Sequence, residues 1–443
     1  MDPCSLQIFQ KELICSICRN CFIDPITTDC GHSFCRPCFH LSWPNRSVIP
    51  RCSVCQKRIQ QKDFHTNAFL KKKVLIARQA YLGHFLRSKE NGCRIHMEAK
   101  QIFCENQRSL LCLHCSTSKE HEAHRHCSVE EAIEEHREKL LKTMCSLWEK
   151  CCENDRNLNV ETVTTRSWEV YVNSKSEAIR TEYGNLSLLL GPEKDNHLER
   201  LKREGKEIFE QLKASEASMA HKRELLRGMY TELKEMCHKP DVELLLDFGD
   251  ILHRSEQVQL HMPQPLQPEL TARPITGLMD RLNPFRVQVS FTGEITPENI
   301  RLFDDVRSLR FMGDALHVSL DPGTSNSFAA WGNRVFKSGK HYWEVYVDKS
   351  WDWAVGVCKE PWMETNGTLT ECKDTFLLIH VKEDNHTTLW TTAPMARQYI
   401  QKPLSRVGVF LDVDNRTVSF VDVARCSLIK HSFIRHSPFQ DYV

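Results

Sequence analysis

The chain carries Cys15-Ser-Ile-Cys18, Cys30-Gly-His32, Cys35-Arg-Pro-Cys38 and Cys52-Ser-Val-Cys55 near its start. In structural sites Zn²⁺ takes four Cys or His ligands in a tetrahedron, and ligands in close pairs at such spacings are typical of zinc modules. Four pairs supply two tetrahedra. The spacing therefore predicts a module held by two zinc ions in place of a hydrophobic core, which so short a segment cannot build.

The composition of the whole chain bounds its class. Its 443 residues are too many for one ordinary domain. A net charge of +1 gives no electrostatic reason to expect binding to nucleic acid or to an acidic membrane. Of the 21 cysteines, 11 fall in zinc spacings, and the scatter of the others fits a reducing compartment. Because the start lacks the apolar region of a signal peptide and no long apolar run follows, we expect an intracellular, soluble protein.

A second group of cysteines and histidines follows the first. Its spacing is Cys93-x2-His96-x7-Cys104-x7-Cys112-x2-Cys115-x5-His121-x2-His124. Paired ligands at such short intervals again predict zinc.

A charged, leucine-rich and nearly proline-free block covers about residues 128–238. Apolar residues recur there at alternating spacings of four and three over 201–236, and the stretch 133–151 repeats the pattern. The block therefore predicts a coiled coil, with a globular helical bundle as the alternative. Glycines and a proline between Gly184 and Pro192 predict a bend or break in the helix.

The last block, from about residue 285, contains short runs rich in β-branched and aromatic residues. These runs are His341–Val345, Trp353–Cys358, Val407–Asp412 and Val418–Phe420. Turn residues lie between them, so the block predicts an all-β sandwich. The proline-bearing stretch 262–274 cannot continue a helix and predicts a linker before the sandwich.

The order of the first eight ligands, three Cys, one His and four Cys, resembles a RING finger. The resemblance implies that the pairs interleave. One zinc would then be held by Cys15, Cys18, Cys35 and Cys38, and the other by Cys30, His32, Cys52 and Cys55.

The second group resembles a type 2 B-box. The resemblance implies one zinc site of Cys93, His96, Cys112 and Cys115. It implies a second site of Cys104, His121, His124 and an acidic residue three places after Cys104. Gln107 occupies that place, and a neutral amide is a weaker zinc ligand than a carboxylate. The sequence therefore leaves one or two B-box zinc ions open, with Glu105 or His126 as substitute ligands.

The strings Tyr342-Trp-Glu-Val345, Trp353-Ala-Val-Gly-Val357 and Val407-Gly-Val-Phe-Leu-Asp412 resemble a PRY-SPRY domain. With these modules in this order, the chain is identified as a member of the tripartite-motif family. The implied domains are 1–60 RING finger, 61–87 helical connector, 88–127 type 2 B-box, 128–238 antiparallel coiled coil, 239–284 linker and 285–443 PRY-SPRY domain. The connector 61–87 either pairs two RINGs or simply packs as a spacer.

The usual activity of this family is ubiquitin ligation. The resemblance implies that the zinc ions are structural and that the RING itself has no catalytic residue. A RING holds a ubiquitin-charged conjugating enzyme in position, and the rate gain comes from orientation. The resemblance places Ile17 and Trp43 at the conjugating-enzyme contact, although both residues fit ordinary packing too. Gln56 lies where active RINGs usually carry Arg or Lys. Its amide lacks the charge and five-donor fork of Arg, so we expect reduced activity.

The implied partners are a conjugating enzyme, ubiquitin, a protein target of the PRY-SPRY domain and a second copy of the chain, without nucleic acid or membrane. We expect a cytoplasmic location, with the nucleus as the alternative. One rival function is a non-catalytic dimeric scaffold, in which Gln56 and Ser53, which replaces the usual proline, mark a disabled RING. A second rival, a zinc-finger nucleic-acid binder, is disfavoured by the neutral charge balance.

Overall fold

The computed structural model describes residues 12–43, 50–59, 64–88, 91–186, 188–289, 334–350, 352–358, 375–382 and 387–434. The chain divides into two compact units. The first consists of Met1–Leu158 and Ala217–Gln264, and the second of Asn159–Glu216 and Pro265–Val443. Within the described ranges, every helix is too short or too polar to cross a membrane.

Two small β modules begin the first unit. Strands β1 (Pro25–Thr27) and β2 (Ser33–Cys35) form an antiparallel hairpin that leads into helix α1 (Arg36–Ser42). The predicted connector contains helix α2 (Ala68–Leu86), and the Asn67 side chain caps its start by accepting from the Leu70 N–H at 3.0 Å. The second module has β3 (Ile102–Cys104), β4 (Ser109–Leu111), helix α3 (Leu113–Ser116) and β5 (His126–Ser128), with sheet order β4-β3-β5.

The predicted helical block is confirmed as two long helices, α4 (Val129–Gly184) and α5 (Gly191–Met236), with a 3-10 turn at Leu188–Leu190. Helix α4 begins at a capping box: the Glu131 N–H donates to Ser128 Oγ at 3.1 Å, and the Ser128 N–H donates to the Glu131 carboxylate at 3.2 Å. The break falls between Gly184 and Gly191, where the glycines predicted it.

Helices α4 and α5 run antiparallel in each unit. In the first unit, Asn154 Nδ2 donates to the Met219 carbonyl at 3.0 Å. In the second unit, the Trp168 indole N–H donates to the Gly205 carbonyl at 2.7 Å. Gly205 interrupts the apolar spacing for a physical reason, because a Cβ there would lie 2.9 Å from Val172 Cγ1. The missing side chain thus permits close helix packing.

The prediction of a linker over 239–284 is wrong for its first part. Residues Asp241–Gln259 form helix α6, whose buried face includes Leu244, Phe248 and Ile251. These apolar residues recur at helical spacing, and they join the hydrophobic core of the first unit. Arg137 fixes the start of α6 by donating to the Cys237 carbonyl at 3.0 Å and pairing with Asp241.

The predicted β-sandwich is confirmed in the second unit, after a short helix α7 (Leu278–Leu282) and a 3-10 turn at Asn283–Phe285. One antiparallel sheet has the order β13-β12-β11-β6 and the other has the order β10-β9-β8-β7. The strands are β6 (Lys340–Tyr346), β7 (Trp353–Cys358), β8 (Thr375–Lys382), β9 (Thr387–Thr391), β10 (Ala396–Gln398), β11 (Arg406–Asp412), β12 (Thr417–Asp422) and β13 (Ser427–Phe433). Alternating side chains of both sheets, such as Trp343, Val409 and Leu378, fill one core.

Lys175 of α4 is buried in the second unit. Its Nζ donates to the Leu428 and Ile429 carbonyls, each at 2.6 Å. Burial, with a smaller contribution from Lys430, lowers the pKa of Lys175 to about 7. The folded chain therefore loses a proton that the unfolded chain still holds up to a pH near 10.

We expect the stability of the protein to rise between pH 7 and 9, because the unfolded state binds more protons than the folded state in this window. Lys175→Met should make the free energy of unfolding less dependent on pH, and it should lower the slope by up to about 1 kcal/mol per pH unit. Denaturant unfolding at pH 7, 8 and 9 measures the slope. Lys206→Met, at an exposed lysine of the same unit, is the control and should keep the wild-type slope. Equal slopes in all three proteins would contradict the assignment.

Candidate metal centres

Two groups of four metal-binding side chains converge in the first module. One group is Cys15, Cys18, Cys35 and Cys38, and the other is Cys30, His32, Cys52 and Cys55; within each group the ligand atoms all lie within 4.8 Å of one another. The first pair along the chain thus groups with the third, and the second groups with the fourth. The structure therefore brings together the ligand sets that the RING resemblance implies.

A repeated backbone turn shapes three of the ligand pairs. The N–H groups of Arg19, Gln56 and Met97 donate to the carbonyls of the cysteines four residues earlier, at distances of 2.8, 2.9 and 2.9 Å. All three residues have positive φ angles of 57°, 60° and 58°. This left-handed conformation is uncommon for residues other than glycine, and its recurrence indicates that the turns are built to hold the ligands.

The chemistry of the donors fits zinc, which binds thiolates and not thiols. The Thr28 hydroxyl, 3.1 Å from Cys30 Sγ, and then His32 lower the pKa of Cys30 to about 6. In the second module, the backbone N–H groups of His96 and Ile95 lower the pKa of Cys93 to about 6. These two cysteines thus favour the thiolate near neutral pH. Burial raises the pKa of Cys115 to about 11, and Cys15 raises the pKa of Cys35 and of Cys38, so those thiols would lose their protons as they bind the ion.

The second module brings together one group of four ligands and one group of three. The four are Cys93, His96, Cys112 and Cys115, and the three are Cys104, His121 and His124, again with all ligand atoms within 4.8 Å. His121 is buried, and its Nδ1 has no hydrogen-bond partner among the described residues, which fits a metal ligand. Gln107 lies exposed in the turn between β3 and β4.

The predicted contact residues of the RING lie at its rim. Ile17 and Trp43 are each half-buried and pack against the core of the first unit. Trp43 ends α1, with its ring centroid 4.8 Å from that of Phe39. Both side chains therefore combine packing with partial exposure. Gln56 is exposed, and its carbonyl accepts from Arg51 Nη1 at 3.3 Å.

Sequence reasoning missed how α1 is held against the long helices. The His40 ring stacks on the Trp148 indole with centroids 4.1 Å apart and planes 8° apart. His40 Nδ1 also lies 2.8 Å from the Tyr230 hydroxyl. Trp148 and Tyr230 come from α4 and α5, so the RING shares a hydrophobic core with both helices. The apolar spacing of these helices predicted an inward face without indicating this third partner.

The zinc-binding module, long helices and β-sandwich define a multidomain protein of the RING and SPRY type. Residues 15–56 match the family described as RING-type zinc-finger, and residues 340–442 match the SPRY domain. The chain is 55% identical over 431 residues to human Putative tripartite motif-containing protein 49B, covering 97% of this chain and 95% of the relative. Human Tripartite motif-containing proteins 51 and 64B are 52% and 45% identical with the same coverage. The chain belongs to the tripartite-motif family.

Trp148→Ala should destabilise the first unit by about 3–5 kcal/mol, because it removes a buried ring and the stacking surface of His40. Hydrogen exchange followed by mass spectrometry should show faster exchange in α1. Leu225→Ala changes an exposed residue of α5 and serves as the control. Unchanged exchange in α1 of the Trp148 variant would show that this contact does not hold the RING.

Proposed function

We propose that the protein is a RING-type ubiquitin-protein ligase. Membership of the tripartite-motif family, with a RING and a SPRY domain, supports a ligase-like scaffold in general terms. The main support for this proposal is the pair of interleaved four-ligand groups, which lie in the segment that matches RING-type zinc-fingers. Both groups have four protein ligands, as structural zinc sites do, so the ions leave no position for an activated water. The proposed activity is therefore one of positioning.

In the proposed reaction, the neutral amine of a substrate lysine attacks the thioester carbonyl of ubiquitin and forms an amide bond. The C–S bond breaks, the cysteine of the conjugating enzyme leaves as thiolate, and the amine proton is released to solvent or to that thiolate. The zinc ions supply a rigid frame when bound. Ile17 and Trp43 would provide the apolar contact to the conjugating enzyme, since partly exposed apolar side chains beside a rigid loop favour binding. Holding the thioester in one orientation lowers the entropic part of the barrier.

Gln56 is the residue that would reduce the proposed ligase activity. It directly follows the last RING ligand, and its side chain is exposed. An amide has two N–H donors and no charge, whereas Arg offers five donors and a fixed positive charge. The same observation, with Ser53, supports the second candidate function, a non-catalytic recognition scaffold.

The remaining parts of the proposal concern partners and location. We propose that the PRY-SPRY domain selects a protein target and that the long helices pair two copies of the chain. Two linked copies would raise the effective concentration at a repetitive target. Two zinc ions belong to the RING and one or two to the B-box. The proposed location is the cytoplasm, with the nucleus as the alternative.

Ubiquitin chain formation with a panel of conjugating enzymes tests the proposal. The wild-type protein should form chains with at least one enzyme, and Ile17→Ala should lose most of them because the apolar contact is gone. Ile95→Ala, at an exposed apolar residue of the B-box, is the matched control. Absence of chains with every enzyme, in a protein shown to hold its RING zinc, would favour the scaffold.

Gln56→Arg should increase the rate of ubiquitin discharge to free lysine several-fold, since a charge-assisted fork replaces a neutral amide. Single-turnover discharge from one conjugating enzyme measures the rate. Gln101→Arg places the same charge at an exposed residue of the B-box and should leave the rate unchanged. An unaltered rate in Gln56→Arg would remove Gln56 as the cause of weak activity.

A further inference from the structure

One of the four ligand groups has only three members. Cys104 at the end of β3, His121 and His124 place their ligand atoms within 4.8 Å of one another, and Cys104 Sγ lies 3.5 Å from His124 Nδ1. Across the described part of the chain, no fourth Cys, His, Asp or Glu joins this group. Zinc in proteins is four-coordinate in such sites, so one position remains for a donor of another kind.

The two substitute ligands considered from the sequence are placed elsewhere. Glu105 pairs with Arg125 at 3.4 Å. His126 faces Cys104 across the β3–β5 pairing, and its Nε2 is buried without a hydrogen-bond partner among the described residues. Its ring centroid is nevertheless 6.4 Å from that of His121, and neither ring nitrogen joins the group. Gln107, in the adjoining turn, is exposed and offers a neutral amide. The fourth position is thus left to that amide or to water.

The charge of this centre separates it from the other three. Zn²⁺ with four thiolates carries a net charge of −2, and with three thiolates and one imidazole it carries −1. With one thiolate and two neutral imidazoles the charge is 2 − 1 = +1. A cationic centre with a weak neutral fourth donor attracts anionic ligands and exchanges its metal more readily.

We infer that the Cys104, His121 and His124 group is a three-ligand zinc centre with an exchangeable fourth position that accepts an external anionic donor, such as a thiolate or a carboxylate. The other three groups are closed by four protein ligands and serve structure alone. His124 is only half-buried, so an external donor can approach the centre from solvent.

The inference is tested on the full-length, zinc-loaded protein, independently of ubiquitin transfer. A chelator of moderate strength is added, and native mass spectrometry counts the zinc ions that remain. One of four ions should leave well before the other three. Reloading that site with Co²⁺ gives a visible spectrum that reports its ligands, and azide, as an anionic probe, should change this spectrum.

Gln107→Asp should close the site with a carboxylate. Release of the exchangeable ion should slow by about tenfold or more, and azide should no longer change the Co²⁺ spectrum. Gln107→Asn keeps a neutral amide and should behave like the wild type, and Gln101→Asp controls for the added charge. The inference is overturned if the wild-type protein holds only three zinc ions, if all four ions leave together, or if azide leaves the spectrum unchanged.

Discussion

Interleaved metal coordination is the constraint on which the first module depends. The module has two three-residue strands and one short helix, and its buried apolar side chains, such as Ile26 and Phe34, belong to a core that it shares with the long helices. Each ligand group joins residues from distant parts of the segment, so each ion would close the loops between them. Arg19 and Gln56, the residues with left-handed backbone, each directly follow a ligand pair, and metal binding by that pair would fix the turn. We therefore expect metal binding to stabilise the fold of this module.

Helix α1, which carries the zinc ligand Cys38, connects the RING to the rest of the first unit. Arg36, directly after a zinc ligand, donates to the Phe64 carbonyl at 2.7 Å and pairs with Asp24, so it joins the hairpin to the segment before α2. His40 on the same helix reaches Trp148 and Tyr230. Helix α1 is thus held from two sides, which would pre-organise the RING for the proposed positioning role.

Local signals in the sequence predicted much of this fold. Ligand spacing identified the members of all four metal groups, and alternating apolar residues identified strands β6, β7, β11 and β12. The break near Gly184 followed from residues that disfavour helix. Helix α6 was missed because the nearby prolines outweighed the apolar spacing of Leu244, Phe248 and Ile251.

Contacts between distant segments could not be predicted from one sequence. In the sequence, His40 looks like an ordinary polar residue of a zinc module. The folded structure shows that it stacks on Trp148, which lies far along the chain. The fourth ligand of the Cys104 group could not be predicted for the same reason. Spacing could name Gln107, Glu105 and His126 as alternatives, whereas the ion pair of Glu105 and the distance of His126 depend on three-dimensional placement.

A ¹¹³Cd NMR spectrum of the cadmium-substituted protein with Cys18→His would decide whether the RING ligand pairs interleave. The chemical shift of ¹¹³Cd depends on the number of thiolate ligands. Interleaving puts Cys18 in the site with four thiolates. If the pairs interleave, the four-thiolate resonance should disappear and a three-thiolate resonance should replace it. If the four-thiolate resonance persists while a three-thiolate resonance changes, the pairs bind in consecutive order and do not interleave.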